Sequence, residues 1–223
     1  MPIRDGLRGV GMASTATIDS GTSPADGSVG DATARTPIER LKAGLLIFVN
    51  PGGALKGALS QIPVQVALGV SGTAFGLFFL QTGLDLLRVG GQTLPRLAMT
   101  GNAGVAGLCL LGVLYGTAGV ALLGAIAWVA TRPLGATVTL EATIRAFALG
   151  YCPALVYAAF GIVMNVAFGW NTALAFGVTG VLWALGPMIA TLREMLGGQI
   201  WPSVILATIL GGLTLLGWAY LGT

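Results

Sequence analysis

The sequence contains no histidine, and charge is scarce: 11 Lys and Arg with 8 Asp and Glu make up 9% of 223 residues. Without histidine, the commonest general base and the commonest metal ligand are both missing. Soluble domains carry roughly 25% charged residues, so so little charge cannot cover a water-facing surface of this size. Cysteine is nearly absent as well. Cys109 and Cys152 are the only two and lie in or beside apolar stretches, which excludes a disulfide framework and leaves them as small buried hydrophobes. No dense basic run exists, and a net charge of +3 gives nucleic acid nothing to bind. Phosphate loops, dinucleotide fingerprints, zinc spacings and nucleophile elbows are all missing. Gly52 and Gly53 precede Lys56 without forming the GxxxxGK pattern. No cofactor is expected.

What is present is apolar. Hydrophobic residues make up 55% of the chain, and mean hydropathy is +0.86. Five long stretches contain no Lys, Arg, Asp or Glu: 61–82, 104–131, 146–168, 172–192 and 202–221. Each reaches the roughly 20 residues that a helix needs to cross a hydrocarbon core. Strands of a membrane barrel alternate and are about half as long, whereas helices satisfy their backbone internally, as lipid demands. The expected fold class is therefore all-α, an integral membrane bundle of five transmembrane helices preceded by an interfacial amphipathic helix, with the bilayer as the first partner. The 36 glycines follow no third-residue repeat, so collagen is excluded. In membranes, glycine lets helices approach closely.

Ahead of the spans, 1–35 is rich in Ser, Thr, Gly, Asp and Ala and lacks helical periodicity, the composition of a disordered tail. No apolar run follows Arg4 and Arg8 to make a secretory signal. Thr36, Pro37 and Glu39 form a helix start with a capping box. Ile38, Leu41, Leu45, Leu46 and Val49 follow at helical spacing until Asn50 and Pro51. The segment 36–60 is too short to span and is expected to lie in the interface. With the N-terminus inside, the cytoplasmic side takes nine Lys and Arg and the far side two, Arg88 and Arg96. This bias predicts a cytoplasmic N-terminus and an external C-terminus, in what reads as a bacterial inner membrane.

Candidate functional residues are few. Arg132, Glu141, Arg145, Arg193 and Glu194 fall on the predicted cytoplasmic side and form a candidate docking surface, with ordinary headgroup anchorage as the alternative reading. Thr139 is placed to cap a helix in which Glu141 and Arg145, four apart, pair. Gln61, Gln65, Gln81 and Asn165 are the amides within or beside spans, suited to interhelical hydrogen bonds or to a substrate path. Gly72 and Gly76, like Gly112 and Gly116, have the spacing of close helix contacts, within the bundle or between protomers. Trp128, Trp170, Trp201 and Trp218 lie near span ends as an aromatic belt would, and Trp183 sits deeper, as a packing residue.

From Thr139 onward the chain resembles the Yip family, named for Ypt/Rab-interacting proteins. The resemblance rests on Leu140-Glu141-Ala142-Thr143-Ile144-Arg145, then Gly150-Tyr151-Cys152-Pro153, Trp183, Leu192-Arg193-Glu194-Met195 and the last span to Leu221, with Asn50-Pro51 ahead of the first span. It implies a five-span bundle with a cytoplasmic N-terminus and makes Gly150, Tyr151 and Pro153 the family-motif residues. The loop 85–102 is longer than the family's. Independently, Pro153 falls in the first turns of the third span, where few backbone bonds are lost, and Tyr151 is placed to reach the headgroups. The functional expectation is a non-enzymatic membrane protein acting through lipid, a membrane-protein partner or a second copy. A transporter or channel subunit is the alternative. An intramembrane enzyme has only Glu141 with Arg145 to offer as a pair.

Overall fold

The computed structural model describes residues 62–90 and 101–222. The expected tail 1–35, the amphipathic segment 36–60 and Gln61 lie outside the described residues. Within them the chain is helical, has no strand, and contains five helices long and apolar enough to cross a membrane.

Span 1 is one helix, α1 (Val64–Arg88). Span 2 runs through α2 (Gly101–Leu114), a π-helical turn (Tyr115–Gly119) and α3 (Val120–Thr131), and ends in a short 3-10 turn (Arg132–Leu134). Span 3 joins α4 (Leu140–Leu149) to α5 (Cys152–Phe168). Span 4 starts as a π-helical segment (Ala173–Val178), continues as α6 (Thr179–Trp183) and finishes as α7 (Leu185–Met195). Span 5 is α8 (Ile200–Gly222). Span 1 is the hub. It packs along spans 2 and 3 and touches spans 4 and 5.

Many small residues lie inside beside a few buried rings such as Phe75, Phe79, Phe147 and Tyr151, and many large aliphatic ones lie outside. Ala67, Ala127 and Ala207 are fully buried, whereas Leu110, Leu114, Phe160, Val166, Leu174 and Leu216 are more than half exposed. In water this surface would aggregate; against lipid tails it costs nothing, and close packing of small residues holds the helices together instead. The glycine spacings serve that packing. Gly112 and Gly116 of span 2 sit against Gly72 and Gly76 of the antiparallel span 1. A Cβ on Gly116 would lie 2.8 Å from the Gly72 Cα and 2.9 Å from the Phe75 Cβ. At this approach the Ser71 hydroxyl donates to the Gly116 carbonyl at 2.7 Å. Both glycine pairs are thus spent inside one chain.

The helices run further than charge-free stretches allow. Span 1 continues past Thr82 to Arg88 and takes in Asp85; span 3 begins at Leu140 and takes in Glu141 and Arg145. All seven charged side chains among the described residues lie within about two turns of a helix end, where headgroups and water meet them. The expected helix capped by Thr139 exists, with its hydroxyl accepting from the Ala142 N–H at 3.2 Å. It is the beginning of span 3 rather than a separate loop helix.

This earlier start changes where the motif residues sit. Pro153 opens α5, as expected of a first-turn proline, but α4 precedes it, so it interrupts a composite span of 29 residues. Lacking an N–H, it leaves the Leu149 carbonyl without its partner four residues on. Pro187 does the same to the Trp183 carbonyl, beside the junction at Ala184. Proline and π-turns are the recognised causes of kinks in long helices, and spans 2, 3 and 4 each contain one.

Candidate functional site

At the end of the bundle where spans 1 and 3 finish and span 4 starts, four polar residues close on one another. Gln81, Asp85 and Arg88 follow at intervals of four and three along α1, so they share a face. Ala158, Gly161 and Asn165 do the same on the parallel α5. Asp85 accepts the N–H groups of Thr172 and Ala173, both at 2.8 Å, and the side-chain amide of Asn165. Those two backbone groups are first-turn donors of span 4, which no residue within that helix can satisfy. The carboxylate therefore caps a helix other than its own, at the positive end of its dipole. Arg88 works at the opposite polarity. Its guanidinium donates to the Asn165 carbonyl at 3.0 Å, to the Asn165 side-chain oxygen at 3.0 Å and to the Trp170 carbonyl at 2.9 Å, at the C-terminal end of span 3, where Gly169 takes the left-handed turn with φ 71°. Asn165, 1% exposed, also donates to the Trp170 carbonyl at 3.0 Å. One turn deeper, the Gln81 amide donates to the Ala158 carbonyl at 2.8 Å. Its oxygen has no hydrogen-bond partner and occupies the space that a Cβ on Gly161 would need.

The second cluster lies mid-bundle. Tyr151 is 1% exposed and does not reach the headgroups. Its hydroxyl is 3.2 Å from the Thr214 hydroxyl of span 5. Since Thr214 gives its own proton to the Leu210 carbonyl at 3.0 Å, Tyr151 is the donor. Tyr115, at the start of the π-turn, donates to the Thr214 carbonyl at 2.8 Å. Phe75 wedges between the two rings, with centroids 5.3 Å from Tyr115 and 4.9 Å from Tyr151, both edge-on. The neighbouring crevice, lined by Ala74, Phe75, Phe78, Ala154, Gly177 and Val181, is too narrow to admit a water molecule.

The candidate docking residues all fall at the other end. Glu141 and Arg145 form the expected ion pair, Arg145 mostly buried and Glu141 mostly exposed. Arg132 lies over the Trp128 ring, 4.4 Å from its centroid, while the Trp128 N–H donates to the Val138 carbonyl at 3.0 Å. Arg193 donates to the Gly198 carbonyl at 3.2 Å and so closes the turn after α7; Glu194 follows it, exposed. The Thr143 hydroxyl faces the Met195 sulfur at 3.9 Å, which sets the start of span 3 beside the end of span 4. Gly150, Tyr151 and Pro153 are buried in the interior, away from this surface.

Two tryptophans depart from expectation. Trp183 is 58% exposed and stacks on Tyr157 at 6.1 Å on the lipid-facing side, so depth in the span does not make it a packing residue. Trp218 stacks on Phe78 at 4.9 Å and donates to the Thr82 hydroxyl at 3.1 Å, so it faces inward rather than joining a belt. Gln81 and Asn165 make the interhelical bonds expected of amides, and Gln65 is exposed. Sequence reasoning missed Asp85, Arg88, Tyr115 and Thr214. The signal for the first two is their helical spacing after Gln81. Among the described residues, no group of three or more Cys, Asp or Glu comes together to hold a metal. No protein-family model, curated protein or solved structure matches the chain.

Proposed function

We propose that this polytopic membrane protein is a non-enzymatic, Yip-type bundle that acts through lipid or protein partners at its surface rather than by passing a solute. The observation that supports this reading is the filled interior. Among the described residues, aromatic rings and glycine contacts occupy the middle of the bundle, Tyr115 and Tyr151 bond to Thr214 across it, and the charges lie near helix ends. The docking surface is then the end carrying Arg132, Glu141, Arg145, Arg193 and Glu194. Three of the four arginines among the described residues lie there, which supports a cytoplasmic assignment for that end in a bacterial inner membrane.

A transporter or channel subunit is the second reading, favoured by the interrupted spans 2, 3 and 4, since broken helices line the sites of many transporters. Reconstituted vesicles separate the two. The surface reading expects ion and small-solute leakage equal to that of protein-free vesicles; flux above that level overturns it in favour of transport.

A further inference from the structure

We propose that the lipid-facing side of span 4 around Trp183 is an interface for a second copy of this chain, with the Trp183 N–H of each copy donating to the Thr179 hydroxyl of the other. This face lies away from the docking end and holds whether that end binds lipid, protein or neither.

The argument starts from polar groups left in hydrocarbon. Trp183 is 58% exposed, and it stands near the centre of span 4, roughly 15 Å along the axis from Ala173 at 1.5 Å per residue. Its indole N–H makes no hydrogen bond among the described residues, and neither does the hydroxyl of Tyr157 or of Thr179. The Tyr157 and Trp183 rings are nearly parallel, at 27°, so the indole N–H points past the phenol ring and not into its face. Lipid tails offer no donor and no acceptor at this depth.

The other aromatic and hydroxyl side chains of the spans show how unusual this is. Trp128 and Trp218 donate inside the bundle, and Trp170 and Trp201 stand at span ends. Tyr115 and Tyr151 bond to Thr214, and Tyr220 is at the end of span 5. Each other threonine inside a span gives its proton to a carbonyl one turn back. Thr179, at the junction with the π-helical segment, does not. The three groups without partners thus fall on one face: Thr179 is one turn before Trp183 on the same side of the helix, and Tyr157 stacks on Trp183 from span 3.

That face complements itself. The indole supplies a donor only, whereas the two hydroxyls can accept as well as donate. A two-fold axis along the membrane normal brings equal depths of two copies together, with every contact made twice. A long side chain on a helix leans towards the N-terminus, which carries the indole to the level of the opposite Thr179. Gly186, three residues after Trp183, is exposed, and nothing lies within 4 Å of a Cβ added to it, so the two helices can approach closely beside the indoles.

The test uses the full chain in liposomes with both native cysteines replaced by alanine. Energy transfer between chains labelled at Leu134→Cys is followed as the protein is diluted in lipid. One interhelical hydrogen bond is worth about threefold in association, and symmetry counts it twice, so Trp183→Phe and Thr179→Val should each lower the association constant about tenfold. The double variant should fall no further than about the same tenfold, since both changes remove one bond. Gly186→Leu should abolish transfer, while Ile209→Phe on the exposed side of span 5 leaves it unchanged. Oxidation should cross-link Leu182→Cys between copies and leave Ile209→Cys monomeric. The proposal is overturned by transfer no higher than random proximity gives, by a dimer indifferent to the Trp183, Thr179 and Gly186 variants, or by Leu182→Cys that cross-links in native membranes only to a different protein.

Discussion

Replacing Asp85 by alanine tests whether span 1 holds span 4 in place. The carboxylate accepts two backbone N–H groups at 2.8 Å and the Asn165 amide. A hydrogen bond to a charged group contributes about 1.5–3 kcal/mol, so the two backbone bonds alone would give about 3–6 kcal/mol in a dry site. Asp85 is only partly buried, at an end where water can replace part of the loss, and we take about 3 kcal/mol for Asp85→Ala. That is roughly a hundredfold in the folding equilibrium. Asp85→Asn keeps an acceptor of similar shape and loses only the charge, so about 1 kcal/mol is expected. Arg88→Ala should also cost about 1 kcal/mol, because the Trp170 carbonyl it serves is exposed to water and the Asn165 carbonyl keeps the Gly169 N–H. The assay is reversible unfolding in mixed micelles by SDS titration, with amide exchange at Thr172 and Ala173 as the local readout. Both amides should exchange faster in Asp85→Ala and stay close to wild type in Asp85→Asn. If Asp85→Ala lies within about 0.5 kcal/mol of wild type, or Asp85→Asn is as damaging as Asp85→Ala, water rather than the carboxylate satisfies span 4 and the cap is incidental.

Two further outcomes follow from packing. Gly116→Val places side-chain atoms against the backbone of Gly72 and the Phe75 Cβ, and should destabilise by about 3 kcal/mol or abolish folding, whereas Gly69→Ala, with nothing within 4 Å of the added Cβ, should change stability by less than about 0.5 kcal/mol; SDS titration of both variants reads the contrast. Gln81→Met removes the bond to the Ala158 carbonyl together with the unpartnered oxygen, so the two effects offset and the same titration should move by less than about 1 kcal/mol, while Gly161→Ala, which drives a methyl group into the Gln81 amide, should cost more than that.

The parts legible in the sequence are those that lipid enforces locally. Each span must satisfy its own backbone and face hydrocarbon, so length and lack of charge sufficed to find five helices, and the cap and ion pair of Thr139, Glu141 and Arg145 were visible because their partners lie within four residues. What escaped is set by pairing between spans. Ending a span at its first charge excluded Asp85 and Arg88, yet α1 runs on through both, where Asp85 meets the unbonded first-turn N–H groups of span 4 and Arg88 meets the carbonyls at the end of span 3. No reading of one stretch at a time reveals a cap supplied from 87 residues away.

Tyr151 and Trp183 were misplaced for a related reason. The charge-free stretch begins at 146, six residues after the helix itself begins at Leu140, and so places Tyr151 at the rim instead of the middle of the bundle. Trp183 was assigned inward because it lies deep, but in a bilayer depth and burial are independent: a side chain far from water can still face solvent, since the solvent is lipid. Its facing depends on rotation about the helix axis. The π-helical segment Ala173–Val178 widens the turn and the break at Ala184 interrupts it, so a 3.6-residue phase carried in from either end of span 4 arrives at Trp183 out of register. The irregularities of spans 2 to 4 are thus what makes their inward face hard to read. A sequence method that treats each span as a regular helix will fail first at those irregularities.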